Sequence, residues 1–390
     1  MSSGSTSTST DTASHLLEAW SGELAIDHHC HPLFPWPEVG PLQLRAVFTE
    51  AVDPEILREH IPALAAYRDA IRRLAQELGC QATEEAVLQA RARTDAATYA
   101  NRLLERSATG MLLLDSGYTS GQPFSLDDHA REIRLPQREV VRLETLAERY
   151  VTSAGTPAEW LAAVRSGLRE SVEAGAVGVK TISAYRAGLA LRPVDPEELE
   201  AAFTELQSRA RSGGSRRIAG EALCYSLLAD AAEEIARLGV PLQVHSGFGD
   251  NDEDLAKANP LGLRPLLVQP RYDGLRLVLL HCYPFHREAA YLCSVYRHVY
   301  MDLSLTIPLA ALDGQRAMRE TLGLCPWTKV LYASDASRLP EIYFVAAAVH
   351  REALAGAFGE FVDRGLLSRD EAVAAGVQVL SANARRVYNL

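Results

Sequence analysis

Lysine is nearly absent from this chain of 390 residues: Lys180, Lys257 and Lys329 stand alone, so 36 of its 39 Lys and Arg residues are arginine. An amine can lose its proton or be modified where a guanidinium effectively cannot, so each retained lysine raises a question of chemistry. Excess positive charge is missing too. At a formal net charge of -11 the surface repels a nucleic-acid backbone or an anionic membrane, which leaves small molecules as the natural partners. No stretch approaches the roughly eighteen uninterrupted apolar residues of a membrane span. No Gly-x-Gly-x-x-Gly follows the first strand pattern and no phosphate loop occurs, so the nucleotide-binding signatures are excluded. The six cysteines (Cys30, Cys80, Cys224, Cys282, Cys293, Cys325) show no paired spacing in a chain too long to need disulfide staples, which points to reduced thiols and the cytoplasm.

What is present is apolar content, 47% of residues, enough for a sizeable core. The Ser/Thr-rich start lacks the basic and apolar regions of a secretory signal, and residues 1–20 are expected to be a disordered tail ahead of a domain over 21–390. Eight short apolar runs then alternate with helical patterns: "ELAID", "MLLLDSG", "VVRLETL", "AVGVKTI", "VPLQVHSG", "LRLVLLHCY", "HVYMDLSL" and "KVLYASDA". Such runs predict parallel strands buried on both faces, and eight βα units predict an α/β fold of the (β/α)8 TIM-barrel type. A doubly wound sheet is the alternative. About 84 residues separate the first two runs, and the stretch 45–108 predicts a helical insertion after the first strand, with Asp53 and Thr83 as N-caps. It would serve as a lid, a dimer surface or an outer decoration.

The ends of these runs carry ligand chemistry. "DHHCHP" puts His29 and His31 on one face of the first strand; Lys180 ends the fourth run, His245 the fifth, His281 the sixth and Asp335 the eighth. Each has an ordinary explanation alone, a backbone-bonded histidine, a helix cap or a structural ion pair. In a parallel barrel, however, all C-terminal strand ends gather on one face, and their joint occurrence predicts one metal site. Neutral imidazoles with a carboxylate suit a divalent cation, zinc first and manganese or iron as alternatives, which lowers the pKa of bound water and polarises a carbonyl. Asp335 is the candidate to take and return the proton.

The ordered set resembles the amidohydrolase superfamily, and Asp27-x-His29-x-His31 is similar to its amidohydrolase-related branch. "RLETLAE", "GVKTISAYRAGL", "VHSGFGDND", "NPLGLRPLL", "YRDAIRRLAQELGC" and "LYASDASRLPEIY" further resemble the amidohydrolase domain associated with glutamine synthetase-like proteins, from about residue 23 to the C-terminus. The resemblance implies that His29, His31 and Asp335 hold one metal, with Lys180 carboxylated and bridging to a second held by His245 and His281. It equally allows one metal on His29, His31, His245 and Asp335, with His281 on the substrate.

Arg142, Glu144, Tyr185, Arg186 and Arg338 are candidate substrate contacts, since an arginine fork can hold a carboxylate and a phenol can donate to it. The alternative for Arg142 and Glu144 is a mutual structural pair. Together these readings predict a metal-dependent hydrolase of an amide C–N bond, with a γ-glutamyl amide favoured by the resemblance alone. A non-oxidative decarboxylase on the same scaffold and a non-catalytic partner of a glutamine synthetase are the alternatives. A homo-oligomer is expected.

Overall fold

The computed structural model describes residues 6–117 and 122–390. Its seven strands follow chain order: β1 (Ala25–Cys30), β2 (Thr109–Asp115), β3 (Gln137–Arg142), β4 (Gly178–Thr181), β5 (Leu242–Ser246), β6 (Leu277–His281) and β7 (Val299–Met301). This is an α/β fold with a parallel sheet and intervening helices, consistent with the barrel type expected. Two compact units are distinguished along the chain.

Of the described residues, the first unit comprises 6–114, 122–137 and 303–385. In it β1 pairs in parallel with β2, from Ala25 opposite Thr109 to Cys30 opposite Leu114. On its other side β1 meets the segment predicted as an eighth strand. There His28 N–H donates to Tyr332 O, Asp335 N–H to His29 O (3.0 Å) and His31 N–H to Ala336 O (2.8 Å), although no regular strand forms over 330–337. Asp335 at φ +52° breaks the extended run, and the Asp27 carboxylate accepts from Ser334 N–H (2.9 Å) and its hydroxyl. These side-chain bonds do part of the work of the missing ladder.

Within 45–108 the chain forms helices over Ala65–Leu78, Glu84–Arg91 and Ala96–Arg106. Thr83 caps the second, accepting from Ala86 N–H, and Gly79 at φ +65° ends the first. Their apolar faces are not peripheral: Tyr67, Ile71, Leu74, Leu103 and Leu104 share one core with Leu112, Leu114, Ile342 and Val345. Arg91 reaches the fully buried Glu341 at 2.7 Å on the helix Pro340–Asp363. The expected disordered tail is corrected by a helix over Thr6–Ala19. Its apolar residues pay for order by burial: Leu16 and the following Trp20 are fully buried, and Trp20 Nε1–H donates to Val373 O (3.0 Å). Residues 1–5 lie outside the described residues.

The second unit comprises residues 115–117, 138–302 and 386–390. Here β3 to β7 form a parallel ladder in chain order, with Val140 opposite Gly178, Val179 opposite Leu242, Leu242 opposite Leu277 and Leu277 opposite Val299. Every residue of β4, β5 and β6 is buried, which explains their continuous apolar runs. Thr156 caps the helix Pro157–Glu173, and Trp160, Val164 and Leu168 make its buried stripe. The third run is shorter than its apolar pattern: β3 stops at Arg142, and Leu143–Tyr150 is helix, so Glu144 belongs to a first helical turn.

Replacing Trp20 with alanine is expected to lower the unfolding free energy by about 3–5 kcal/mol in a denaturant titration. A loss near zero would mean that the N-terminal helix is undocked.

Candidate functional site

In the first unit, His29 and His31 converge on one carboxylate. His29 Nε2 lies 2.9 Å from Asp335 Oδ1 and His31 Nε2 lies 3.2 Å from the same oxygen. One ligand atom from each of the three residues falls within 4.8 Å of the others. The side chains are sheltered, His29 at 0% exposure, His31 at 9% and Asp335 at 13%, so water reaches the carboxylate edge. Two imidazoles and one carboxylate are the donor set of a divalent ion with coordination positions left open. The residues present therefore fit the metal that the sequence pattern implies. Beneath them, burial pushes the Asp27 carboxyl up to about 7 despite the hydrogen bonds from Ser334. Tyr343 donates its hydroxyl hydrogen to His31 O, fixing the strand exit. Arg338, at φ +67°, bridges by backbone to Leu33 and lies a few residues after Asp335.

In the second unit, Lys180 is buried on β4, with Nζ 3.4 Å from Asp115 Oδ2. The same carboxylate takes the Arg142 guanidinium, Nη2 at 2.6 Å and Nε at 3.1 Å. Arg142 is thus paired with Asp115 rather than Glu144. Burial opposes its charge, but Asp115 holds its pKa above the ordinary arginine value. Gly117 is required beside it, because a Cβ there would stand 2.1 Å from that of Arg142.

Glu144 is buried, and its Oε1 accepts from Thr181 Oγ1 (2.5 Å) and Ile182 N–H (3.0 Å), which ties the helix Leu143–Tyr150 to the end of β4. Burial pushes the Glu144 carboxyl up, against those hydrogen bonds. Arg186 bonds Ile218 O (3.0 Å) and Glu148 (3.4 Å), and burial, aided by Arg217, lowers its pKa.

His245 lies near the end of β5 with both ring nitrogens engaged, Nδ1 by Tyr185 Oη at 3.2 Å and Nε2 by Glu253 Oε2 at 3.4 Å. Its ring centroid lies 4.6 Å from that of His281. His281 sits at φ +65°, and its N–H donates to Asp302 Oδ1 (2.7 Å).

The structure therefore brings His29, His31 and Asp335 together in one unit, and Lys180, Arg142, Tyr185, His245 and His281 into contacts within the other. Asp115, Glu253 and Asp302 were not singled out from sequence. "LLLDSG" carried a signal for Asp115, a carboxylate ending a buried run, whereas Glu253 sits inside the acidic stretch "GDNDED" with nothing to mark it.

Comparison with known proteins adds the following. A model of the family described as Amidohydrolase matches residues 115–390. The FluG protein of Emericella nidulans is 31% identical over 310 residues, 72% of this chain, and the chain spans only 36% of that protein's length. A solved Lactobacillus casei protein, assigned as a metal-dependent hydrolase, is 31% identical with a TM-score of 0.85, covering 96% of this chain and 97% of its own. A uronate isomerase from Bacillus halodurans is 12% identical with a TM-score of 0.68, covering 99% and 98%, a likeness of fold alone.

Because the folded-state pKa of Glu144 stands above its ordinary value, the native state holds the proton longer than the unfolded chain. Its contribution is present at low pH and is lost as pH rises through the folded value. Glu144→Gln, which keeps the acceptor oxygen, is expected to remove that decline and match or exceed the parent above the folded-state value. Glu144→Ala should cost about 1–3 kcal/mol. Denaturant midpoints across pH check this; a parent-to-Gln difference independent of pH would contradict it.

Proposed function

This chain belongs to the amidohydrolase family, and from that membership we propose a metal-dependent hydrolase cleaving the C–N bond of a small amide, with γ-glutamyl amides the class to test first. The observation that carries the reading is the convergence of His29, His31 and Asp335. A divalent ion there, zinc by its donor set, supplies Lewis acidity that lowers the pKa of water and polarises a carbonyl.

The chain's own residues do the rest. Asp335, with its carboxylate edge open to water, accepts the proton released by the attacking water and returns it to the departing nitrogen. Arg338 offers charge to the acidic portion of a substrate at this triad, and the substrate contacts of His281, Tyr185 and Arg186 are carried over from the sequence reading alone. Arg142 and Glu144 hold the ends of β2, β3 and β4 in place through Asp115 and Thr181. Lys180 stands as an amine beside Asp115; whether carbon dioxide modifies it is read by the mass of the native protein. The γ-glutamyl preference and a glutamine synthetase-like partner rest on the resemblance of the sequence, to which the greater length of the FluG relative adds room for a further domain.

Purified protein supplied with zinc or manganese is expected to release free amine from at least one γ-glutamyl amide. Chelation should abolish turnover, and Asp335→Asn should lower kcat/KM by about 10²–10⁴-fold. Carbon dioxide in place of amine would make it a decarboxylase. No bound metal and no turnover of any amide would leave a binding protein and defeat the proposal.

A further inference from the structure

The second unit holds a cavity of about 360 Å³, within the size range of small-molecule sites, between residues 191–194, the helix Glu221–Leu238 and residues 265–272. None of the candidate residues at the strand ends lines it. Its walls are tied together by backbone contacts. Leu191 N–H donates to Gly262 O (3.2 Å), and a Cβ at Gly262 would stand 2.3 Å from Leu189 O, so only glycine lets the two loops pass this close. Pro193 and Pro265 stiffen the two sides, and the Tyr225 hydroxyl donates to Ala187 O (3.2 Å), which pins its ring. Walls fixed in advance lower the entropy that a ligand must overcome.

The lining divides by chemistry. Tyr225 and Tyr272, 3% and 4% exposed, and the buried Leu266 supply ring faces and apolar surface. Ser226 and Gln269 also line the cavity, and their side chains make no hydrogen bond among the described residues. Arg271 places its guanidinium carbon 4.6 Å from the centroid of the Tyr272 ring, and no carboxylate lies within ion-pairing distance of it among the described residues. A guanidinium stacked on a ring engages its face and keeps its N–H edge for a two-pronged bond to a carboxylate. Arg192, the other cation of the lining, is already held by Glu198 (2.6 Å) and Glu221 (2.8 Å). The cavity therefore offers one unneutralised positive charge beside two aromatic rings, on a chain whose net charge is -11.

We propose that this cavity is a binding site for a small aromatic monocarboxylate, with the ligand's ring against Tyr225, Tyr272 and Leu266 and its carboxylate on Arg271. Ser226 and Gln269 hydrogen-bond the charged end. A cationic ligand would meet Arg271 without a counter-charge, and a second carboxylate would find Arg192 already paired with two glutamates. At about 30 Å³ per water the cavity has room for a ligand displacing about a dozen waters, the size of a one- or two-ring acid. The site stands apart from the proposed hydrolase activity and does not depend on it.

Calorimetric titration of the full-length protein with 2-naphthoate, with and without supplied zinc, tests it. One molecule is expected to bind per chain, with the same affinity in both conditions. 2-Naphthamide, which keeps the shape without the charge, and octanoate, which keeps the charge without the ring, should each bind at least about tenfold more weakly. Arg271→Gln should weaken 2-naphthoate by about tenfold or more, the scale of one lost charge-assisted hydrogen bond, while keeping the parent's unfolding transition. Ala229→Leu, which fills part of the cavity from the helix side, should abolish binding. The proposal is overturned if the parent shows no saturable binding, or if the amide or octanoate binds as tightly as 2-naphthoate. Binding that appears only with zinc, or that is unchanged in folded Arg271→Gln or Ala229→Leu, would place the ligand elsewhere and overturn it equally. A protein that takes up 2-naphthoate as expected yet hydrolyses no amide would sink the hydrolase reading and leave this site standing.

Discussion

The oxygen Oδ1 of Asp335, held 2.9 Å from His29 Nε2 and 3.2 Å from His31 Nε2, is the contact on which the functional account turns. It joins residues some three hundred positions apart, and the backbone around it exists to make that possible. His29 O accepts from Asp335 N–H, His31 N–H donates to Ala336 O, and Asp27 grips Ser334. Each bond fixes one end of a side chain that must converge, since a buried polar group with no defined partner costs more than it returns. An aspartate at φ +52° is tolerated because its short side chain suits the left-handed region. Backbone strain of this kind, of order 1–3 kcal/mol, persists where surrounding contacts over-determine it.

Concentrated polarity in the strands sets the second unit's logic as well. Lys180, Arg142 and Asp115 share one buried cluster in which a single carboxylate answers two cations. Removing the carboxylate would take a close partner from both basic groups in a medium of low dielectric. Glu144 and Asp302 do similar service for the ends of β4 and β6, each accepting from a backbone N–H at the strand exit. Such second-rank carboxylates orient the groups nearer the chemistry.

Much of this was legible in the sequence. The runs ending in His29, Lys180, His245 and His281 became strands because β-branched and leucine-rich segments buried on both faces leave few other options. The phase of His29 and His31 foretold their shared face. Three things escaped. The 330–337 segment is extended but irregular, since Asp335 and Arg338 take positive φ, which periodicity does not encode. The N-terminal helix is held by Leu16 and Trp20 against distant residues, a tertiary effect that overrides Ser/Thr-rich composition. The partners of His245 and Arg142 are loop and strand-end carboxylates whose nearness comes from topology, not spacing.

The central claim is that His29, His31 and Asp335 bind a divalent cation. Anomalous diffraction from crystals grown with zinc, recorded on both sides of its absorption edge, tests it most directly. The expected result is a peak at bonding distance from both Nε2 atoms and an Asp335 carboxylate oxygen. A peak carried by other residues, or none beside this triad, would contradict the account.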